Sequence, residues 1–198
     1  PEGCPPSSYV TLDFDRTSKN YKPIKMIWSD GGIRPPHPDL IPVNESLGEP
    51  GGGNGVMMIG SRGIITSGTY GLTPKLYRKN RETLTFDTDN QPEPEFGHQR
   101  KWIDACKAGF NSEEHKSLTS SFDYSGPMTE TVLMGNIAIR SYMLRFKTDP
   151  STHLGFPNGG FDYTGRKKLL WDGENMKITN FDEANQFVTR EYRNGWEV

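Results

Sequence analysis

The fold of this chain is decided by Phe122-Asp-Tyr-Ser-Gly-Pro-Met-Thr-Glu-Thr-Val-Leu-Met-Gly-Asn-Ile-Ala-Ile-Arg140. Apolar residues recur there at helical spacing, and Tyr124-x-Gly-Pro is typical of a turn that starts a helix. Pro127 suits the first helical position, where its missing N–H leaves no hydrogen bond unmade. The pattern predicts a core helix from Pro127 to about Met143. Its buried stripe is expected to comprise Met128, Val132, Leu133, Ala138, Ile139 and Met143.

Strand patterns lie ahead of this helix. In the first of them Val10, Leu12 and Phe14 share one face, which indicates a half-buried strand. Two later segments flank Gly60-Ser-Arg-Gly63 and predict a hairpin. The predicted strands are Tyr9–Asp15, Ile24–Ser29, Val56–Ile59 and Ile64–Thr66.

Around these elements the polar stretches predict loops at 44–55, 72–96, 110–121 and 145–168. Another helix is predicted from His98 to Ala108, ended by Gly109. Short strands are predicted at 169–171 and 176–178. A third helix is predicted to begin near Asp182, which is an acceptable N-cap. Its apolar stripe is expected to comprise Ala184, Phe187, Val188 and Tyr192. Because strands lead and helices follow, the chain is expected to be one α+β domain over residues 1–198. It would contain an open, predominantly antiparallel sheet with helices packed on one face.

Bulk composition narrows the function. The chain has 198 residues and a net charge of −2, and its longest basic run is Arg166-Lys-Lys168, so no nucleic-acid partner is expected. The sequence contains no run of about eighteen apolar residues, so no membrane span is predicted. Two cysteines give no disulfide framework, and Cys106, in an apolar helical pattern, is expected to be a small buried residue.

The usual catalytic patterns are missing. Gly51-Gly-Gly53-Asn54-Gly55 contains G-x-G, but a strand rather than a helix is predicted after it, so no dinucleotide cradle is expected. His37, His98, His115 and His153 lack metal-ligand spacing, and no nucleophile-elbow sequence occurs. Glu130, expected near the start of its helix, suits the helix dipole. No catalytic residue and no metal site are therefore assigned.

The best candidate for ligand contact is the loop from Trp28 to His37. It follows a predicted strand directly, and loops at strand ends carry function more often than strands do. Trp28 offers an apolar face, Asp30 can accept hydrogen bonds from sugar hydroxyls, and Arg34 can fork onto a carboxylate. The alternative is a polar loop whose Trp28 is buried in the core.

Several of these segments resemble the C-terminal domain of the Gfo/Idh/MocA oxidoreductases, in particular the bacterial branch that ends in Arg-Glu-Tyr-Arg-x-Gly-Trp. The resemblance runs through most of the chain and departs from the family at about Arg145 to Lys168, where a shorter connection is expected. The similar segments are Ser7–Phe14, Pro23–Gly32 with Pro35-Pro36, Val56–Gly60, Gly63–Thr66, His98–Lys107, the Phe122–Arg140 helix, Leu170-Trp-Asp172 and Arg190–Trp196.

The resemblance implies a sheet like that of the dihydrodipicolinate reductase and GAPDH C-terminal domains. It also implies NAD or NADP bound by an N-terminal Rossmann domain that precedes this chain, with no cofactor bound by the chain itself. The substrate would be a sugar, sugar acid or cyclitol, contacted by Trp28, Asp30, Arg34 and His37. The family's Glu-Lys-Pro and Asp-x-x-x-His motifs are absent here, so no catalytic residue carries over. A homo-oligomer is expected. An NAD-dependent glycoside hydrolase and a non-catalytic carbohydrate-binding or scaffold module remain as alternatives.

Overall fold

The computed structural model describes residues 3–15, 22–51, 53–87, 96–147, 160–190 and 192–196. The chain divides into two compact units. The terminal unit comprises Pro1–Trp28 and Lys116–Val198, and the central unit comprises Ser29–His115. Within the described part of the chain, every helix is too short or too polar to span a bilayer.

In the described residues the elements are strands, α-helices and two short 3₁₀ helices. The strands are β1 (Tyr9–Phe14), β2 (Ile24–Ser29), β3 (Val56–Gly60), β4 (Gly63–Ser67), β5 (Lys75–Tyr77), β6 (Leu84–Thr85), β7 (Phe146–Lys147), β8 (Phe161–Asp162), β9 (Trp171–Asp172) and β10 (Lys177–Ile178). The helices are α1 (Gly97–Ala108), α2 (Glu113–Lys116) and α3 (Phe122–Tyr142), with 3₁₀ helices at Thr69–Gly71 and Asp182–Phe187.

The central unit is built on an antiparallel sheet of order β3-β4-β5-β6. The predicted hairpin is confirmed as β3 and β4, with Met58 opposite Ile65. The hydrophobic core of the central unit comprises Ile41, Ile64 and Tyr77. The prediction of an irregular loop at 72–96 is wrong for β5 and β6, because strands of three and two residues are too short to show alternation. They form by pairing, β5 with β4 and β6 with β5. Residues 88–95 of that stretch lie outside the described residues.

Helix α1 confirms the prediction for His98–Ala108. Gly109 ends it with a φ of 94°, a conformation that glycine adopts without strain, while its N–H bonds the Ala105 carbonyl at 3.0 Å. The expectation that Cys106 is buried is wrong, because Cys106 is exposed and Ala105 is the buried residue of α1.

In the terminal unit, α3 packs against the 3₁₀ helix Asp182–Phe187 and against β1. The core comprises Ile137, Ile178, Phe181 and Ala184, with half-buried Leu144, Leu169, Trp171, Phe187 and Val188 around it. Strand β1 buries the predicted face, since Val10, Leu12 and Phe14 are less exposed than the residues between them.

Two predictions about α3 are wrong. The helix begins at Phe122, so Pro127 lies inside it. The Ser121 carbonyl already accepts hydrogen bonds from Tyr124 and Ser125, which starts helical bonding one turn earlier than the proline suggested. The buried face is also different: Ile137 and Ser141 are buried, whereas Val132 is 65% and Leu133 is 50% exposed. Because the helix is apolar on several sides, its periodicity does not select the face that packs.

The C-terminal segment follows its prediction in part. Strands β9 and β10 pair around Asp172-Gly173, which confirms two short strands there. The predicted third helix is wrong in type and length: it is a 3₁₀ helix that ends at Phe187, and Asp182 is its first residue rather than its cap. Asn185 explains this geometry, because its side chain accepts from Ile178 N at 2.7 Å and donates to Ile178 O at 3.1 Å.

The α+β class is confirmed, since helices accompany antiparallel strands. Strands β1 and β2 pair with each other in a two-stranded sheet, as do β7 with β8 and β9 with β10, while β3 to β6 form the four-stranded sheet. Residues 148–159 of the predicted excursion, including His153, lie outside the described residues.

Candidate functional site

A polar cavity of about 350 Å³ lies within the central unit. The loop before β3 forms one wall, and the end of β4 and the segment leading to β5 form the other. Seven of the cavity's eleven lining residues carry a polar side chain, namely two carboxylates, three hydroxyls, one amide and one ammonium group. The lining residues are Asn44, Glu45, Ser46, Gly48, Glu49, Pro50, Thr66, Gly68, Leu72, Thr73 and Lys75.

An ion pair joins the two walls. Lys75 Nζ donates to Glu45 Oε2 at 2.5 Å, and the Tyr77 hydroxyl approaches the same oxygen at 3.5 Å. The hydrogen bond from Lys75 holds the pKa of Glu45 below its usual value, and the same bond raises the pKa of Lys75. Both groups therefore stay charged at neutral pH, so Glu45 is an acceptor there and not a proton donor.

The second carboxylate, Glu49, is fixed by backbone contacts on both sides. Its Oε1 accepts from Thr69 N at 3.2 Å, and its own N–H donates to Asn54 O at 2.9 Å. The loop folds back closely enough that a Cβ on Gly48 would collide with the Asn54 carbonyl, and a Cβ on Gly55 would lie 2.6 Å from Gly48 Cα. These glycines therefore serve the loop's own packing, and β3, rather than a helix, follows them as predicted.

The rim of the cavity is strained. Tyr70 and Thr73, neither of them glycine, have φ values of 60° and 47°. Tyr70 is 91% exposed in the segment between the lining residues Gly68 and Leu72. The Thr69 hydroxyl is buried without a hydrogen-bond partner in the described part of the chain. Such left-handed conformations persist where the surrounding structure holds them, and they cluster at ligand-binding segments.

Two of the four predicted contact residues, His37 and Arg34, lie beside the 44–55 loop without lining the cavity themselves. His37 Nε2 is 3.3 Å from the Glu45 carbonyl oxygen. A Cβ on Gly53 would lie 3.2 Å from Arg34 Nη1, which places the guanidinium beside the same loop. Asp30 is half-buried, and its carbonyl accepts from Ile33 N at 3.1 Å in the turn that redirects the chain.

Trp28 belongs to the terminal unit, whereas the other three predicted residues belong to the central unit. The alternative that buries Trp28 in the core is wrong, because its side chain is 61% exposed at the end of β2.

Sequence reasoning missed the lining carboxylates. Glu45 and Lys75 are thirty residues apart, and no spacing rule connects them. The only sequence signal at Glu45 is the glycosylation-type pattern Asn44-Glu-Ser46, all three residues of which line the cavity. The predicted loops at 44–55 and 72–96 contain these two residues, but a loop pattern says nothing about which loops meet.

The carboxylates of the terminal unit have structural partners. Glu130 Oε1 accepts from Trp171 Nε1 at 2.6 Å, and the interpretation of Glu130 as a helix-dipole residue is wrong, because it lies two turns inside α3. Asp172 accepts from Asn175 N and Nδ2 at 3.1 and 2.8 Å, and these bonds lower its pKa. Among the described residues, no group of three or more His, Cys, Asp or Glu side chains is placed to hold a metal ion.

Comparison with known proteins adds no assignment. No family model matches the chain, and no curated protein matches it. The function is therefore argued from the residues themselves.

Proposed function

We propose that this chain is the substrate-binding and assembly domain of a nicotinamide-dependent oxidoreductase that acts on a hydroxyl group of a sugar, sugar acid or cyclitol. One observation carries the proposal beyond the resemblance of the sequence. The strand-end loop predicted to contact substrate lies beside the 44–55 loop: His37 contacts the backbone oxygen of the cavity-lining Glu45, and Arg34 lies next to Gly53. Clefts with a few convergent polar groups are the usual form of small-molecule sites.

The chain's part in such a reaction is to bind and orient the substrate. Glu45 and Glu49 offer carboxylate oxygens to hydroxyl groups, and Lys75 offers an ammonium donor from the opposite wall. Holding the reacting hydroxyl in a fixed geometry is a large part of enzymatic rate enhancement.

We propose that this chain itself binds no nicotinamide. The glycine-containing segment at 51–55 is followed by β3, so it lacks the helix N-terminus that receives a pyrophosphate. In this proposal NAD or NADP is bound by an N-terminal Rossmann domain of the same enzyme, and the chain binds none.

Assembly is the second part of the proposal. Strand β2 exposes a run of large apolar side chains, namely Ile24, Met26, Ile27 and Trp28. Exposed apolar surface of this kind favours association. We propose that this sheet surface is covered in a homo-oligomer, as part of an open sheet of the dihydrodipicolinate reductase or GAPDH C-terminal type.

A non-catalytic carbohydrate-binding module is the second candidate. It is favoured by one observation: all residues that line the cavity belong to the central unit of this chain, so binding a ligand there requires no other domain.

Turnover by the complete gene product discriminates between the two candidates. The product is incubated with NAD or NADP and a panel of sugars, sugar acids and cyclitols, and reduced nicotinamide is followed by absorbance. We expect turnover with at least one member of the panel. Absence of turnover with both cofactors, together with saturable sugar binding to the chain, would replace the oxidoreductase by the binding module.

A further inference from the structure

The stretch of sequence from 140 to 168 has a charge opposite to that of the rest of the chain. It contains six cationic and two acidic residues, a local net charge of +4, whereas the whole chain carries −2. It also contains five aromatic residues. Most of it is the stretch from Arg145 to Lys168 in which the chain departs from the resembled family. The proposed function makes no use of this concentration of positive charge.

The described part of this stretch is fastened to the C-terminal end of α3. Strand β8 pairs with β7, and the turn after β8 brings Gly165 so close to α3 that a Cβ there would collide with the Ser141 carbonyl. Three exposed cationic side chains are thereby gathered in the terminal unit. We call them the basic patch, and they are Arg145, Arg166 and Lys167.

Aromatic rings hold the two guanidinium groups of the basic patch. Arg166 Cζ lies 3.7 Å from the ring centroid of Tyr163 and 4.9 Å from that of Tyr142. Arg145 Cζ lies 4.7 Å from the ring centroid of Phe161. Such a contact uses few of the five N–H donors of a guanidinium, so the others can reach an anion. Because the rings already restrict the arginines, less conformational entropy is lost when a partner binds.

The surrounding carboxylates leave the basic patch positively charged. In β8, Asp162 alternates to the face opposite its neighbour in the strand. Asp13 and Asp15 face Lys168, which donates to Asp13 at 2.8 Å. Two further carboxylates begin the 3₁₀ helix at Asp182. In the described part of the chain, none of these carboxylates forms an ion pair with the basic patch.

These contacts favour one class of anionic partner. The arginines lie over the rings of Tyr163 and Phe161, so those rings are poor platforms for stacked nucleobases. A long polyanion or an anionic bilayer would also meet the net charge of −6 that the rest of the chain carries. A short acidic peptide confines its charge to the patch, and guanidinium groups bind carboxylates through two parallel hydrogen bonds. Arginine and tyrosine are also enriched among the residues that dominate protein–protein binding.

We propose that the basic patch is a docking surface for a short acidic segment of another protein. Its carboxylates bind Arg145 and Arg166, and its apolar side chains contact Tyr142 and Phe161, which are 52% and 42% exposed. This inference goes beyond the proposed function and does not rest on it, since it concerns the terminal unit and neither the cavity nor a cofactor.

The test is a fluorescence-anisotropy titration of the fluorescein-labelled peptide Glu-Glu-Phe-Glu-Glu-Leu-Glu-Glu with the whole chain. Parallel titrations use the same peptide with glutamine at every glutamate, a labelled single-stranded thymidine octamer, and vesicles of phosphatidylcholine and phosphatidylserine in equal parts. We expect saturable binding of the acidic peptide. The other three probes should bind more weakly by about tenfold or more, which corresponds to about 1.4 kcal/mol.

Charge variants locate the binding surface. Arg145→Gln and Arg166→Gln should each weaken binding of the acidic peptide by about tenfold, because each removes a charge-assisted pair. Arg166→Lys keeps the charge but not the planar fork, so its loss should be smaller. Arg193→Gln is the matched control and should have no effect, since Arg193 also lies near a ring, 5.8 Å from the Trp196 centroid, but outside residues 140–168. If Arg166→Gln does not fold, Arg145→Gln decides.

Four outcomes would overturn the inference. Absence of saturable binding of the acidic peptide would remove the docking surface, and tighter binding of the thymidine octamer or the vesicles would replace its partner. An equal loss in Arg193→Gln would reduce the binding to unspecific charge attraction. Unchanged affinity in both folded glutamine variants would leave the arginine–ring contacts with the single task of fastening β7 and β8 to α3. Each outcome is independent of turnover, so it leaves the proposed oxidoreductase untouched.

Discussion

The two units of this chain use their carboxylates in opposite ways. In the terminal unit Glu130 receives the Trp171 indole N–H and Asp172 closes the turn between β9 and β10. In the central unit Glu45 and Glu49 are anchored by one oxygen each and line a cavity. Carboxylates consumed by local bonds stabilise a fold, whereas carboxylates that face a cavity retain acceptor sites for a ligand. The comparison therefore supports the proposal that the central unit, rather than the terminal unit, binds the ligand.

The cationic side chains of the two units also make different contacts. In the terminal unit Arg166 lies 3.7 Å from the ring centroid of Tyr163, Lys167 lies 4.6 Å from that of Phe181 and Arg140 lies 4.3 Å from that of Phe187. Each such contact contributes about 0.5–1 kcal/mol at an exposed site. Lysine–carboxylate pairs occur in both units, Lys168 with Asp13 and Lys75 with Glu45, so the difference lies in the aromatic contacts.

The largest expected effect is a loss of stability on removing a core side chain of the terminal unit. Ile137→Ala should lower the free energy of unfolding by about 2–5 kcal/mol, because Ile137 is only 7% exposed and joins the core with Ile178 and Phe181. Leu133→Ala is the matched control on the same helix, and it should cost less than about 1 kcal/mol because Leu133 is half exposed. Urea titration followed by circular dichroism measures both. Equal losses would mean that α3 packs on another face.

A smaller effect tests whether the terminal carboxylates are structural. Glu130→Ala should lower the free energy of unfolding by about 1–3 kcal/mol, since it leaves the half-buried Trp171 indole without its acceptor. Glu174→Ala, in the exposed turn between β9 and β10, should change it by less than about 0.5 kcal/mol. Thermal unfolding compares the two variants. An unchanged stability of Glu130→Ala would remove the main support for calling this carboxylate structural.

The sequence pattern predicted the elements that have strong local signals. It failed where tertiary contacts decide which face of a helix packs or whether a short strand forms. The β3–β4 hairpin and helix α1 follow from alternation, a turn and a terminal glycine. The packed face of α3 does not, because apolar residues lie on several sides and only contact with Ile178 and Phe181 selects Ile137. Strand β5 owes its existence to pairing with β4.

The candidate site shows the same limit. The loop from Trp28 to His37 was predicted from its residue types, and two of its members lie beside the 44–55 loop that forms one side of the cavity. The cavity itself depends on Glu45 meeting Lys75 across thirty residues of chain. Nothing in a one-dimensional pattern encodes that approach, because it is set by the glycine-containing loop and the register of β5 on β4.

The third prediction concerns recognition by the central unit. In the oxidoreductase proposed above, Arg34→Ala and Asp30→Ala should lower kcat/KM by an amount equivalent to about 1–3 kcal/mol and leave the affinity for the nicotinamide unchanged. The reason is the position of Arg34 beside the cavity loop and of Asp30 in the turn that leads to it. Steady-state kinetics and cofactor titration separate the two effects. Unchanged kinetics in both folded variants would make the loop a purely structural one.

The smallest expected effect follows the charge of Glu45. Its pKa is lowered by the hydrogen bond from Lys75, so its contribution to stability is present above the unfolded pKa of about 4.3 and is lost as the pH falls through the lower folded value. Lys75→Met should therefore move the Glu45 pKa upward and weaken the acid-side dependence of stability. The pair is partly exposed, so the change in stability at neutral pH should be small.

Carboxyl NMR titration measures the Glu45 pKa directly, and Lys79→Met is the control, because Lys79 is an exposed lysine of the same unit that does not line the cavity. If Lys75→Met leaves the Glu45 pKa unchanged, the ion pair does not hold the two walls together in solution. The cavity would then lose the contact that bridges its two sides, and the contrast between the carboxylates of the two units would rest on the Glu49 anchor alone. If the pKa rises as expected while Lys79→Met has no effect, the ion pair between Lys75 and Glu45 is formed in solution and bridges the two walls of the cavity.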